Sequence, residues 1–296
     1  MQIKTSTYVL LFALPLFTPM RSALAQTLNG AIDIHAHTDP DGTPRSIDAI
    51  DLARLAKSRG MRAIVLKNHY EPTASLAYIV RKEVPGIEVF GGISLDLTNG
   101  GVNPAAVEWM TKVKGGYGRV VWMPTFDSEH NAAPEHRPFA RVANDGKLVP
   151  EVLQVIGIIA KHNLVLETGH SSPAEALMLI REGRRQGVQN IVVTHATNRL
   201  VGMSIPEMQE AAKLGAYLEF VYVKPGSEEA KAHVKAIRAL GPESCILASD
   251  LGQANNPLHP DGLLAFYRYL KQQGFTEAEI DRMAKVNPAK VLGLKP

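Results

Sequence analysis

Residues 31–42 read AIDIHAHTDPDG. Ala31, Ile32 and Ile34 have the character of a buried strand, yet the run ends in two histidines one residue apart, with two aspartates just beyond. Strand side chains alternate between faces, so His35 and His37 point the same way. Two such imidazoles are either hydrogen-bonded neighbours or two adjacent corners of a metal site. The rest of the chain must supply or deny the remaining ligands.

Seven further apolar runs follow: RAIVLKNH (62–69), IEVFGGISLD (87–96), RVVWMPTFD (119–127), LVLETGH (164–170), NIVVTHAT (190–197), AYLEFVYV (216–223) and CILASDLG (245–252). Between them lie amphipathic stretches such as SIDAIDLARLAKSRG (46–60), PEVLQVIGIIAKHN (150–163) and SPAEALMLIREGRRQG (172–187). Many begin with Ser or Pro and end at Gly or Asn, the usual start and stop chemistry of helices. Val- and Ile-rich strands alternating with helices indicate a parallel sheet. Eight such units without a domain break predict an α/β fold, a closed (β/α)8 TIM barrel rather than an open doubly wound sheet. The ending TEAEIDRMAKVNPAKVLGL (276–294) predicts extra C-terminal helices. One connection departs from the rhythm: residues 128–148 are polar and aperiodic, a long loop expected over the catalytic mouth after the fourth strand.

The start of the chain reads differently. Lys4, the apolar run YVLLFALPLF (8–17) and the small-x-small ALA ending at Ala25 have the form of a secretory signal peptide. The run is shorter than the ~20 residues of a membrane helix and is interrupted by Pro15, which argues against an uncleaved anchor. Residues 1–25 are therefore expected to be removed, leaving 26–296 as a single periplasmic or secreted domain with no stable membrane anchor. The whole chain has 32 basic and 29 acidic residues, and the leader carries Lys4 and Arg21 and no acid. A nearly neutral chain without a basic stripe excludes nucleic acid as an expected partner. Cys245 is the only cysteine, so no internal disulfide forms, and its apolar setting reads as a buried thiol rather than a nucleophile.

The informative property of the polar residues is where they fall. The first run ends in His35 and His37, the second in Lys67 and His69, the fifth in Glu167 and His170, the sixth in His195 and the eighth in Asp250. In a barrel all strand C-termini meet at one face, where active sites sit. Imidazole and carboxylate ligands suit Zn2+, Mn2+, Fe2+ or Ni2+. A catalytic ion keeps one position open for water and lowers its pKa towards ~7. Asp250 is placed to orient that water and carry its proton, although alone it would read as a helix cap at a strand–helix junction. Lys67 and His69 read as substrate contacts, a cationic Lys at a site mouth being suited to a carboxylate or phosphate. Glu167, three residues before His170, is assigned a structural role. His130, His136 and Arg137 lie in the long loop and read most simply as solvated, His162 and His233 as surface residues on helices, His259 as turn chemistry, and Trp109 and Trp122 as packing.

DIHAH on the first strand, His170 after the fifth, His195 on the sixth, Asp250 on the eighth and the closing VNPAKVLGL together resemble the amidohydrolase superfamily of metal-dependent hydrolases, in its poorly characterised branch. The likeness spans Ala31 to Leu294. It implies His35, His37 and Asp250 as ligands of one metal, Asp250 also as proton carrier, and His170 and His195 as ligands of the same or a second ion. Many binuclear members carry a Lys or Glu at the end of the fourth strand. Here that strand has neither, and Asp127 or Glu129 would have to substitute from an unusual offset. The expected cofactor is one or two divalent ions, zinc first. The expected function is metal-dependent hydrolysis of an amide, lactone or ester-like bond in a small molecule. The alternatives are a metal-dependent, non-oxidative decarboxylase of a small carboxylic acid and a non-catalytic periplasmic binding barrel. Homo-oligomer formation is left open.

Overall fold

The computed structural model describes residues 27–295; the leader assigned to 1–25 lies outside them. Eight parallel strands pair in chain order: β1 Ile32–His37, β2 Ala63–Lys67, β3 Glu88–Ser94, β4 Gly118–Trp122, β5 Val165–Glu167, β6 Asn190–Val193, β7 Tyr217–Val221 and β8 Cys245–Ala248. These are the eight apolar runs of the sequence. A helix of eight residues or more follows each strand, from Ala49–Ser58 after β1 to His259–Gln272 after β8. The barrel closes just past β8, where Asp250 N donates to His35 O (2.8 Å) and His37 N to Leu251 O (2.9 Å). Asp250 is thus held by the closure itself.

Period-two alternation divides the apolar residues into two shells. Ile32, Val65, Phe90, Val120, Val192 and Ile246 fill the barrel interior, while Leu66, Val121, Leu166 and Leu247 face the helices. Each such burial contributes ~1.5–3 kcal/mol. The helix starts match the sequence chemistry: Ser172 and Ser204 form reciprocal capping boxes with Glu175 and Glu207, each followed by Pro within the first turn. The tail is helical from Glu277 to Val291, passing through a π-helical turn at Arg282–Val286. Its Ala289, Val291 and Leu292 join the interior cluster and close the barrel at the N-terminal ends of the strands. Asn287 Nδ2 fixes this plug by donating to the carbonyls of Pro242 (2.8 Å) and Cys245 (2.7 Å).

Strict alternation fails at one place. Between Asp33 and Ala36 the register of β1 against β2 shifts, inserting one extra residue. Ile34 faces the interior, so an unbroken pleat would send His35 outwards. The bulge turns His35 back in, beside His37, as bulges near active sites do. The backbone N–H of His35 is taken up by Asp33 Oδ1 (3.2 Å), which also accepts from Ser249 N (2.9 Å).

Three expectations are corrected. Residues 128–148 are not structureless: they contain a short helix at Glu129–Ala132, a 3-10 turn at Ala133–Glu135 and a hairpin pairing Ala143–Asn144 with Lys147–Leu148. Trp109 does not pack, being 68% exposed with Lys112 over its ring. His233 is buried rather than on the surface, held between Thr197 Oγ1 (3.1 Å) and Val221 O (3.1 Å). Cys245 is buried as expected, and burial pushes its thiol pKa up.

Candidate functional site

Three donor atoms converge where β1 meets the turn after β8. Asp250 Oδ1 lies 3.1 Å from His35 Nε2 and 3.2 Å from His37 Nε2. Among the described residues these three alone form a compact group able to hold a metal ion. Two residues of the group sit on the shared face that the sequence pointed to, and Asp250 arrives by barrel closure.

The other histidines ring this group. His195 stacks 5.9 Å from His35 between centroids, His170 lies 4.8 Å from His195, and His69 lies 4.8 Å from His37 and 6.4 Å from His170. His170 reaches the ring through Gly169, whose φ of +62° and tight approach leave no room for a side chain: a Cβ there would stand 2.2 Å from Met123 O. That contact lets His170 N donate to Pro124 O (3.0 Å) at the end of the fourth strand. His195 and Asp250 also have positive φ, +24° and +49°.

Beneath the ring lies a layer of charge within the barrel. Lys67 is only 1% exposed, with Nζ 3.0 Å from His35 Nε2 and 5.4 Å above Trp122. The sequence placed this Lys at a site mouth; instead its ammonium is enclosed among Asp250, Glu167 and Glu219, and burial lowers its pKa. Glu219 on β7 accepts from His35 Nδ1 at 3.2 Å through both oxygens and from His195 N at 2.9 Å. Glu167 faces inwards too, accepting from Thr194 Oγ1 (2.9 Å), and burial together with Glu219 pushes its carboxyl up to about 8. A relay supports His69 as well. Thr125 Oγ1 donates to Asp96 Oδ2 and accepts from His69 Nδ1 (2.7 Å), which leaves His69 Nε2 as the ring's unprotonated nitrogen.

The charge states suit a cation. Burial lowers His37 to about 3 and His195 to about 4, and puts His69 and His170 well below the ordinary imidazole value, so all four rings are neutral at pH 7. His35 differs: burial and Lys67 oppose its protonation, but Asp250 and Glu219 outweigh them and hold it up at about 10. Two carboxylates thus demand positive charge at the His35 ring. Buried Nδ1 atoms of His37, His170 and His195 have no hydrogen-bond partner among the described residues. Neutral imidazoles, converging donors and carboxylates in want of a cation fit a divalent metal.

Some candidates stand elsewhere. Asp127 is occupied by Leu97 N (3.0 Å) and Arg137 (3.5 Å), and Glu129 is gripped by both ends of the Arg141 guanidinium, so neither replaces the ligand missing from β4. That position is filled by buried Trp122 and Met123. His259 begins the helix after β8 and supports the site from behind, its Nε2 donating to His37 O (3.0 Å). Sequence reasoning passed over Glu219, Asp96 and Asp33. The available signal was an acid between apolar neighbours, Asp33 between Ile32 and Ile34 and Glu219 between Leu218 and Phe220, whereas Asp96 merely ends its run.

Comparison with known structures agrees at the level of fold. The chain is similar to 2,6-dihydroxybenzoate decarboxylase from Rhizobium (TM-score 0.60, 12% identity, covering 90% of this chain and 99% of that one). It is likewise similar to an amidohydrolase from Pseudomonas aeruginosa (0.65, 12%, 89% and 95%) and to the organophosphorus hydrolase from Deinococcus radiodurans (0.61, 15%, 91% and 93%). At such identities the likeness establishes the (β/α)8 barrel fold and nothing finer. No curated protein matches the chain in sequence. Residues 30–219, from the approach to β1 into β7, match a family of unknown function, DUF6282, and the chain belongs to that family.

Proposed function

We propose that this chain is an exported metal-dependent hydrolase that cleaves an amide, lactone or ester-like bond in a small molecule. The observation that carries the reading is Asp250: one carboxylate oxygen touches both His35 and His37 while the side chain keeps 24% exposure at the open end of the barrel. A divalent ion there, Zn2+ first and Mn2+, Fe2+ or Ni2+ next, would polarise the scissile carbonyl and acidify water. Asp250 would take the proton of a water as its oxygen adds to the carbonyl carbon, the histidine contacts keeping its carboxyl ionised and well below the usual range despite burial. It would then deliver that proton to the leaving oxygen or nitrogen as its bond to the carbonyl carbon breaks. His170 and His195 stand across the ring as further ligands for the same or a second ion. His69, with its lone pair fixed by Thr125, is left to accept a hydrogen bond from substrate.

Hydrolysis is preferred to decarboxylation because Lys67, the residue that would have anchored a reacting carboxylate, is sealed in the barrel among three acids. Elemental analysis of purified protein should show about one equivalent or more of transition metal. Chelation should abolish turnover in a screen of esters, lactones and amides, and Zn2+ or Mn2+ should restore it. Metal-free protein from metal-supplemented expression, or CO2 release from carboxylic acids with no hydrolysis, would overturn the reading.

A further inference from the structure

A cavity of about 690 Å3 lies over the open end of the barrel, and three arginines from three different loops line it. Arg45 comes from the loop after β1, Arg137 from that after β4 and Arg199 from that after β6. The cavity adjoins the histidine ring. Lining residue Phe126 packs 4.2 Å from His69 and 5.7 Å from His170 between ring centroids. Lining residue Asn131 donates to His170 O (3.3 Å), and lining residue Gln253 donates to Asp250 O (2.8 Å).

The arginines are not equally occupied. Arg137 spends its donors on Glu135 (2.8 Å) and Phe126 O (3.1 Å), with Asp127 at 3.5 Å. The Arg45 side chain is only 8% exposed and gives Nε to Asp41 Oδ2 (2.6 Å). Its Nη groups bond no protein atom among the described residues, and they are not among the atoms sealed from solvent. Arg199 is exposed and has no ion pair or hydrogen bond among the described residues. A nearly buried guanidinium with free donors, a second one unpaired, and the rings of Tyr70 and Phe126 therefore border one space. Guanidinium forks match planar oxyanions, and aromatic walls suit an apolar body.

We propose that this antechamber binds an oxyanion, a carboxylate or phosphate ester, carried by the substrate at the end remote from the bond cleaved, with Arg45 and Arg199 as its donors and Tyr70 and Phe126 against the body between. This deepens the hydrolase reading by naming a substrate class: anionic esters, lactones or amides with an apolar middle. Carboxylate and phosphate share the same chemistry here, and the probes separate them.

Binding of phenylacetate, phenyl phosphate and neutral phenylacetamide is measured calorimetrically on metal-loaded and chelator-treated protein. Oxyanions also ligate metals, so the component that survives chelation reports the antechamber. At least one anion should bind chelated protein more tightly than the amide does, and weaken as salt rises. Arg199→Gln and Arg45→Gln should each raise its Kd about tenfold, the scale of a hydrogen bond to a charged group, and leave the amide within about twofold. Arg199 makes no contact that its replacement would break, so that variant decides the matter if Arg45→Gln loosens its loop. Equal binding of amide and anions, no saturable anion binding after chelation, or Kd values unmoved in Arg199→Gln would overturn the inference. Because the readout is binding, Arg-dependent anion binding without turnover would reject the hydrolase and keep the subsite. Turnover indifferent to charge would do the reverse.

Discussion

Glu219→Gln tests whether the layer beneath the ring governs the metal. The carboxylate accepts from His35 Nδ1 and from His195 N, the latter at 2.9 Å. Glutamine has nearly the same shape but one acceptor oxygen, so it can keep one of these partners well and offers the other an N–H. If the amide nitrogen faces His35, the ring must turn its lone pair to Nδ1 and carry its proton on Nε2, the atom beside Asp250. A protonated Nε2 cannot ligate. Loss of such an outer-shell carboxylate weakens metal binding ~10–100-fold, or ~1.4–2.7 kcal/mol. The shift is readable without turnover. At metal one hundred times the wild-type Kd, binding stabilises wild type by ~2.7 kcal/mol, and the variant by only ~1.4 to ~0.4 kcal/mol. Urea melts with and without metal measure this difference, and chelator competition gives Kd directly. If Glu219→Gln folds and binds metal within about twofold of wild type, the carboxylate does not set the His35 tautomer, and the proposed arrangement is wrong.

Asp250→Asn should cut turnover by ~10²-fold or more, the scale of general acid–base contributions, while keeping more metal than a His35→Ala/His37→Ala double variant. Near-wild-type turnover at full occupancy would reduce Asp250 to a cap. Burial lowers His233 to about 4 against an ordinary value near 6.5, so its neutral form is the folded one. Its effect on stability is nil above that ordinary value and grows as pH falls, because the unfolded chain takes up a proton the folded chain refuses. It should cost ~2 kcal/mol by pH 5 and level off at ~3 kcal/mol below pH 4. His233→Gln should remove that share of the slope between pH 7 and pH 5 in urea titrations, and an unchanged slope would place the titration elsewhere. Exported protein should begin at Gln26 on N-terminal sequencing; an intact Met1 would refute the assignment of residues 1–25.

The sequence was legible where one residue's neighbours along the chain determine its role. All eight strands show as apolar runs because each is buried on both faces, and the helix starts show because capping is local. His35, His37, His170, His195 and Asp250 stood out by occupying strand ends, and the barrel brings those ends together. What escaped notice depends on pairing between distant segments. The bulge in β1 exists only relative to β2, and alternation alone would have turned His35 outwards had Ile34 been taken as the reference. Lys67 looked like a free cation because Glu167 and Glu219, 100 and 152 residues further along, are invisible from its own strand. Trp109 and His233 were misplaced for a related reason: a helix of mixed composition does not announce which of its faces meets the sheet. Residues 128–148 hid a helix and a hairpin too short to show a period.

The positive φ angles of His195 and Asp250 bear on how such a site persists. A side chain in left-handed backbone costs ~1–2 kcal/mol that glycine would not. Loss of either residue to glycine would relieve that strain, and Asp250→Asn would place a residue more at ease there. Sequence drift towards a quieter, sturdier barrel is therefore downhill at the very positions proposed to do the chemistry. The strain held at these two positions is what the proposed chemistry would cost the fold.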